Sequence, residues 1–329
     1  MRRRFAAACV RVGAVALVAL ATGCSTERNP RDLFAPGEVG TIVVDATMVV
    51  DRRFPVVTVR RTLAPDQPYS SSAAAVTGAD VRIETPGGGW MAYSDLVSPL
   101  PGTYRATGGF GDSIPPATVQ PNTTYRLVVR TQDGRTVTAT TTTPSPFHAR
   151  DWLLLDDPSL EIRRRLRTFD DYPTRPDSVY LAPENQIVYQ DGLLEARFDR
   201  GDALAFQVGF KNLEFDSPLL VHADFLSEHD LESLSRDSSS PPLDAATGAI
   251  RVPWLAIFFA GRCTIRIFSI DRNWYDLERS LPEIGGTNLG FGTNAGENFD
   301  RPIFHVQGGI GLFGSASVDS VGIDVLPPS

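Results

Sequence analysis

The chain has 329 residues, 42% hydrophobic and 21% charged, with a formal net charge of -8 at pH 7. That acidic balance argues against nucleic acid as a partner and against electrostatic attachment to anionic lipid. Only three cysteines occur, too few for a disulfide-stapled scaffold, and the length suits two ordinary domains.

Met1-Arg2-Arg3-Arg4 is a basic start, and Phe5 to Leu20 is apolar apart from Arg11. Leu20-Ala21-Thr22-Gly23-Cys24 follows. A basic n-region, a short apolar core and small residues before a cleavage point make a secretory signal. The apolar stretch after Arg11 falls short of the roughly 20 residues a spanning helix needs. A cysteine directly after small residues resembles the bacterial lipobox, with Ala21 where leucine is commoner. The expectation is a lipoprotein signal peptide over residues 1–23, lipid attachment at Cys24, and a lipidated tether over 24–40. An ordinary signal peptide with an incidental cysteine is the plainer alternative. Ser25 after the lipidated residue favours the outer membrane. Removing Arg2, Arg3, Arg4 and Arg11 with the signal takes the formal charge from -8 to -12. Lys211 is the only lysine, which reads as GC-rich coding.

Strand-like segments then follow at short spacing: Thr41 to Val50, Pro55 to Leu63, Ala79 to Thr85, Trp90 to Tyr93, Gly102 to Ala106, Thr123 to Arg130 and Gly134 to Thr143. Turn signals separate them at Pro86-Gly87-Gly88-Gly89, Pro101-Gly102 and Asp133-Gly134, the last predicting a hairpin. About seven short strands with turns every 8 to 12 residues predict an immunoglobulin-like β-sandwich over residues 41–146. Tyr125 fits a tyrosine corner, a structural role.

Residues 147–329 predict a second β-rich domain with one or two helices. Trp152 to Arg167 suggests a helix, begun at Pro158 because proline breaks the earlier pattern. Gln186 to Tyr189, Asp191-Gly192 and Leu193 to Phe198 read as a second hairpin. Further strands are expected at Ala203 to Phe210, Leu219 to Phe225, Leu255 to Phe259, Cys263 to Ile270, Ile303 to Val306 and Val318 to Val325. Asp271 to Leu281 suits a helix with Asp271 as N-cap, and Gly285 to Gly296 a glycine-rich loop. The fold class is therefore mostly β.

Sequence chemistry is sparse. Gly309-Ile310-Gly311-Leu312-Phe313-Gly314 matches G-x-G-x-x-G, but a dinucleotide fingerprint needs a preceding strand and a following helix. Only 15 strand-like residues remain, so a glycine-rich turn packing the last strand closely is the better reading. His222, Asp224, Glu228, His229 and Asp230 are ligand types for zinc or manganese. With no second cluster, an exposed acidic loop is the better reading. Cys263 in apolar surroundings reads as a buried structural thiol. No nucleophile elbow, zincin motif or calcium loop appears. Loop carboxylates such as Asp156-Asp157 and Asp170-Asp171 cannot be assigned a pair from sequence. No catalytic residue, cofactor or metal is assigned.

The ordered segments resemble bacterial lipoproteins of the domain-of-unknown-function 4249 family, frequent in Bacteroidetes and related phyla. The resemblance rests on the lipobox followed by Ile42-Val43-Val44-Asp45, the strand at Pro55 to Leu63, and Val76-Thr77-Gly78-Ala79-Asp80-Val81-Arg82-Ile83. It continues through Pro101-Gly102-Thr103-Tyr104, Thr124-Tyr125-Arg126-Leu127 with Asp133-Gly134-Arg135, and Gln307-Gly308-Gly309-Ile310-Gly311-Leu312-Phe313-Gly314. It is weakest over residues 147 to 200. It implies an envelope lipoprotein working beside outer-membrane TonB-dependent receptors, and it carries over no catalytic residue. The leading expectation is a non-enzymatic binding or accessory protein held at the outer membrane by its lipid. A structural or adhesion spacer is one alternative. A hydrolase using the second domain, with His222 and Asp224 first in line, is the other.

Overall fold

Alternation decides the first strands. In β1 (Ile42–Val49) the residues Ile42, Val44, Ala46 and Met48 are buried while their neighbours are not, the period of two of a sheet with one face in a core. The computed structural model describes residues 39–107, 117–220, 235–281 and 301–328. The same pattern builds β2 (Val57–Arg61), β3 (Asp80–Glu84), β4 (Trp90–Ser94) and β7 (Thr136–Thr142), whereas β5 (Thr103–Ala106) buries Thr103 and Tyr104 in succession and β6 (Thr124–Arg130) buries Leu127, Val128 and Val129 in succession. A single helical turn, α1 (Ser71–Ala74), interrupts them and is capped by the Ser70 hydroxyl. Gly134 adopts φ +84° in the β6–β7 turn, as the Asp133-Gly134 signal requires.

These strands are hydrogen-bonded in the order β1-β2-β5-β4-β3-β6-β7. The path is continuous, because β5 pairs with β2 on one side and β4 on the other. The mostly-β reading holds, but an immunoglobulin-like division into two sheets does not follow from this pairing.

The next strands are β8 (Ala149–Leu155) and β9 (Ile162–Arg165), so the helix expected over Trp152 to Arg167 is corrected to an antiparallel pair. Leu153, Leu154 and Leu155 are all buried. A strand covered on both faces loses the alternation that would identify it, and Pro158 lies in the connecting turn. β10 (Gln186–Val188) and β11 (Leu193–Phe198) do not form the expected hairpin. β10 pairs in parallel with the last strand, while β11 lies between β8 and β14 (Ala249–Val252). Gln190 and Gly192 both take positive φ, turning the chain from one sheet into the other.

β12 (Ala205–Asn212), β13 (Asp237–Ser239) and β15 (Gly261–Ile270) complete the second region, with α2 (Arg272–Ser280) after them. Asp271 caps α2 as its position predicts, accepting from the Trp274 N–H. Trp254–Ala256 is a 3-10 turn, not the start of a strand. Leu219 contributes only an isolated bridge to Phe259. β16 (Val306–Gln307) pairs with β7.

The last strand, β17 (Ile310–Leu326), is a single run of 17 residues. Its first part pairs in parallel with β1, from Val43↔Ile310 to Val49↔Ala316. Its remainder pairs with β15, from Ile270↔Ala316 to Gly261↔Val325. Phe313 therefore enters one apolar core with Ile42, Val44, Tyr104, Tyr125 and Leu127. Val321, Ile323 and Val325 enter another with Trp152, Phe198, Phe206 and Ile265. Full burial of an aromatic such as Phe313 contributes about 2–3 kcal/mol. Gly311 makes the β1 contact possible. It sits at φ +113°, and a Cβ there would collide with the Val44 carbonyl.

Candidate functional site

The end of the first unit where the chain arrives from Cys24 is closed by hydrogen bonds. Gly40 N–H donates to the Thr62 carbonyl at 2.9 Å, and Thr41 N–H to the Thr62 hydroxyl at 3.0 Å. Arg135 reaches across from the β6–β7 turn to the Gly40 carbonyl. Beneath them Tyr104, fully buried, donates to the Val76 carbonyl at 2.8 Å and accepts from Ala79 N–H at 3.0 Å. Asp95 accepts from Gly78 N–H at 2.7 Å. The first described residues are thus clamped to a polar, well-connected loop end.

A second constellation lies on α2. Asp276, buried, accepts from Arg279 Nε at 2.8 Å and lies 2.8 Å from His305 Nε2. Burial alone would raise the carboxyl, but the hydrogen bonds from His305 and Arg279 outweigh it and hold Asp276 below its ordinary value. A carboxylate orienting an imidazole is half of a nucleophilic triad. Ser280 does not complete it. Its hydroxyl donates to the Asp276 carbonyl at 2.6 Å and accepts from Ile303 N–H at 2.7 Å, so it serves the backbone. The pair instead ties the chain after residue 300 onto α2.

Asp271 forms a third polar node. It accepts from Thr141 at 2.6 Å and from Ser315 N–H at 3.0 Å, joining β7, β17 and α2. Burial pushes its carboxyl up, against the hydrogen bonds that pull it down.

Of the residues singled out from sequence, Cys24 lies outside the described residues, as do the signal peptide and most of the tether. His222, Asp224, Glu228, His229, Asp230 and the Gly285 to Gly296 segment lie outside them too. Among the described residues no group of three or more metal-ligating side chains comes together. Cys263 is buried, and burial pushes its thiol up to about 12, far from a reactive thiolate. Gly309 to Gly314 enters β17 with no helix behind it. Tyr125, buried, accepts from Gln120 N–H at 2.9 Å, five residues upstream, as a tyrosine corner does. Asp276 and His305 were not legible as a pair, because their contact spans 29 positions without a local motif.

A search of curated proteins gives no match. The family model described as a domain of unknown function, DUF4249, matches residues 32–321, which takes in the first apolar core and all of the second except Ile323 and Val325 near the end of β17. The chain therefore belongs to the DUF4249 family.

Proposed function

We propose that this protein is an exported, lipid-anchored accessory or binding protein of the bacterial outer membrane, attached through an acylated Cys24. The observation that carries the reading is the run from Met1 to Cys24: three arginines, a short apolar core, then Ala21-Thr22-Gly23 before the cysteine. One acyl chain holds weakly and several hold durably, at about 0.8 kcal/mol for each buried CH₂. Among the described residues no helix is long and apolar enough to cross a membrane.

A non-enzymatic role is supported by the polar constellations: the Tyr104 and Ser280 hydroxyls serve backbone groups, Asp271 caps α2, and the Asp276 carboxylate is taken up by Arg279 and His305. The partner proposed is an outer-membrane TonB-dependent receptor. The test begins with the mass of the N-terminal peptide from membranes of cells making the full chain. A diacylglyceryl-modified Cys24 at the new N-terminus is expected, and Cys24→Ala should release the protein from the membrane fraction. An unmodified Cys24, or a membrane-bound Cys24→Ala protein, refutes the anchor. In-cell crosslinking of the lipidated protein should then capture a receptor in stoichiometric amount. Recovery of no partner would refute the accessory role.

A further inference from the structure

The first unit exposes large apolar side chains, and most of them gather at one end. Leu96 is 92% exposed, Tyr69 66%, Leu100 64%, Val97 52% and Val39 50%. Strand register fixes where these lie. Ile42 at the start of β1 pairs with Arg61 at the end of β2. Thr103 at the start of β5 pairs with Thr58, and the Gly102 carbonyl accepts from Val59 N–H. The loop 95–101 therefore emerges at the end where the chain enters at Val39, and the loop after β2 that holds Tyr69 emerges there as well. Trp90, 63% exposed, starts β4 opposite Glu84 and marks the far end.

These side chains are held in water by a fixed backbone. Leu96 N–H donates to the Ser94 hydroxyl, Ser98 N–H to the Asp95 carbonyl, and Gly78 N–H to the Asp95 carboxylate. Pro99 and Pro101 restrict the same loop. The Tyr69 hydroxyl accepts from Arg60 while its ring stays exposed, the division of polar tip and apolar body favoured at membrane interfaces.

We infer that this loop end, with Leu96, Val97, Leu100 and Tyr69 foremost, docks on the lipid leaflet that holds the protein's own anchor. The inference rests on the Cys24 anchor proposed above. From Cys24 to Val39 is 15 residues, a reach of about 50 Å at full extension. The end that carries the apolar side chains is the end the tether holds closest to the bilayer. Basic Arg60, Arg61 and Arg135 are mixed there with acidic Asp66, Asp95 and Asp133, so apolar burial drives the docking and salt has little effect on it.

The test replaces the acyl anchor, so that its outcome does not depend on whether Cys24 is modified. The mature chain from Ser25, with an N-terminal hexahistidine tag, is tethered to phosphatidylethanolamine/phosphatidylglycerol vesicles through a nickel-chelating lipid. A bimane probe is placed by Leu96→Cys, by Tyr69→Cys or, at the far end, by Trp90→Cys; the buried Cys263 does not compete. Brominated lipids should quench the Leu96→Cys and Tyr69→Cys probes and spare Trp90→Cys, in low and high salt alike. Adding Leu96→Ser, Val97→Ser and Leu100→Ser to the Tyr69→Cys protein should lower its docked-to-free ratio by about tenfold or more. No quenching at Leu96→Cys, or equal quenching at both ends, overturns the inference and leaves these loops to a protein partner. Quenching abolished by high salt overturns it in favour of charge-driven attachment. An unmodified Cys24 in cells would sink the anchor reading separately.

Discussion

Asn185 is the side chain whose removal should be felt most directly in the second core. It is fully buried. Its Nδ2 donates to the Arg167 carbonyl at 2.9 Å and to the Gly322 carbonyl at 2.6 Å, and its Oδ1 accepts from Arg167 N–H at 2.8 Å. Arg167 follows β9 of the smaller sheet, and Gly322 lies in β17 of the larger, so one amide bridges the two. Asn185→Ala strips three backbone groups of their partners. Each costs about 1–3 kcal/mol if water cannot reach it. Arg167 is partly exposed and recovers some of that, which leaves a loss of about 3 kcal/mol. Asn185→Asp keeps the acceptor for Arg167 N–H but turns a carboxylate oxygen toward two carbonyls. It should destabilise at least as much at neutral pH. Urea unfolding followed by the fluorescence of Trp152 and Trp254, both in this core, reads the change. A loss below about 1 kcal/mol for Asn185→Ala, with an unchanged denaturant slope, would refute the bridging role.

Three further outcomes are expected. Gly311→Ala combines a φ of +113° with a collision against the Val44 carbonyl, so it should cost about 3 kcal/mol or more and lower the thermal midpoint; a wild-type midpoint would mean that β1 and β17 tolerate separation. Asp276 titrates below its ordinary 3.8 in the folded protein. Its contribution to stability is therefore complete above about pH 4 and is lost as pH falls through the depressed value. The stability gap between wild type and Asp276→Asn should close as pH falls below that point, and a gap that widens there on acidification would contradict the assignment. Cys263, with its thiol pushed up to about 12 by burial, should resist maleimide until denaturant exposes it; rapid labelling of the native protein would show the site to be open.

The sequence revealed segments whose local pattern and tertiary role agree. β1, β3 and β7 alternate cleanly, Asp133-Gly134 announces its hairpin, and Asp271 announces α2. It concealed those where tertiary packing overrides the local pattern. β8 carries Trp152 to Leu155 buried on both faces, so a strand presents the leucine-rich look of a helix. Asp191-Gly192 is a real turn, yet it passes the chain between sheets, because β10 finds its partner in β17 more than 130 positions away. β17 itself looked like a short terminal strand behind a glycine turn. Its glycines do permit the expected close packing, against β1, but most of them lie inside the strand and not in a turn before it. The sites fared likewise. Asp276 and His305 meet only in space, and nothing in Asp95-Leu96-Val97-Ser98-Pro99-Leu100 says that its apolar residues face solvent.

β17 also settles how the two cores relate. Between them, Phe147 N–H donates to the Ser317 hydroxyl at 2.8 Å and Ala149 N–H to the Asp319 carboxylate at 2.6 Å. The connecting segment is thus pinned to the middle of the shared strand, and Asp271 pins β7 and α2 to it as well. A swing between the cores would have to break these bonds together with the β15 and β1 ladders. β17 begins at Ile310, beside Val43 and the loop end carrying Leu96, and rises about 3.3 Å per residue away from it. If that loop end lies on the leaflet, the second core is carried outward. Along β17 the residues furthest from that loop end are Val325 and Leu326, which pair with Gly261 of β15 and Val188 of β10. A receptor partner standing in the same membrane would meet the flank of the first unit, whereas a soluble ligand would meet the second core first. The positions that crosslink to a receptor therefore report which of the two cores is the working surface.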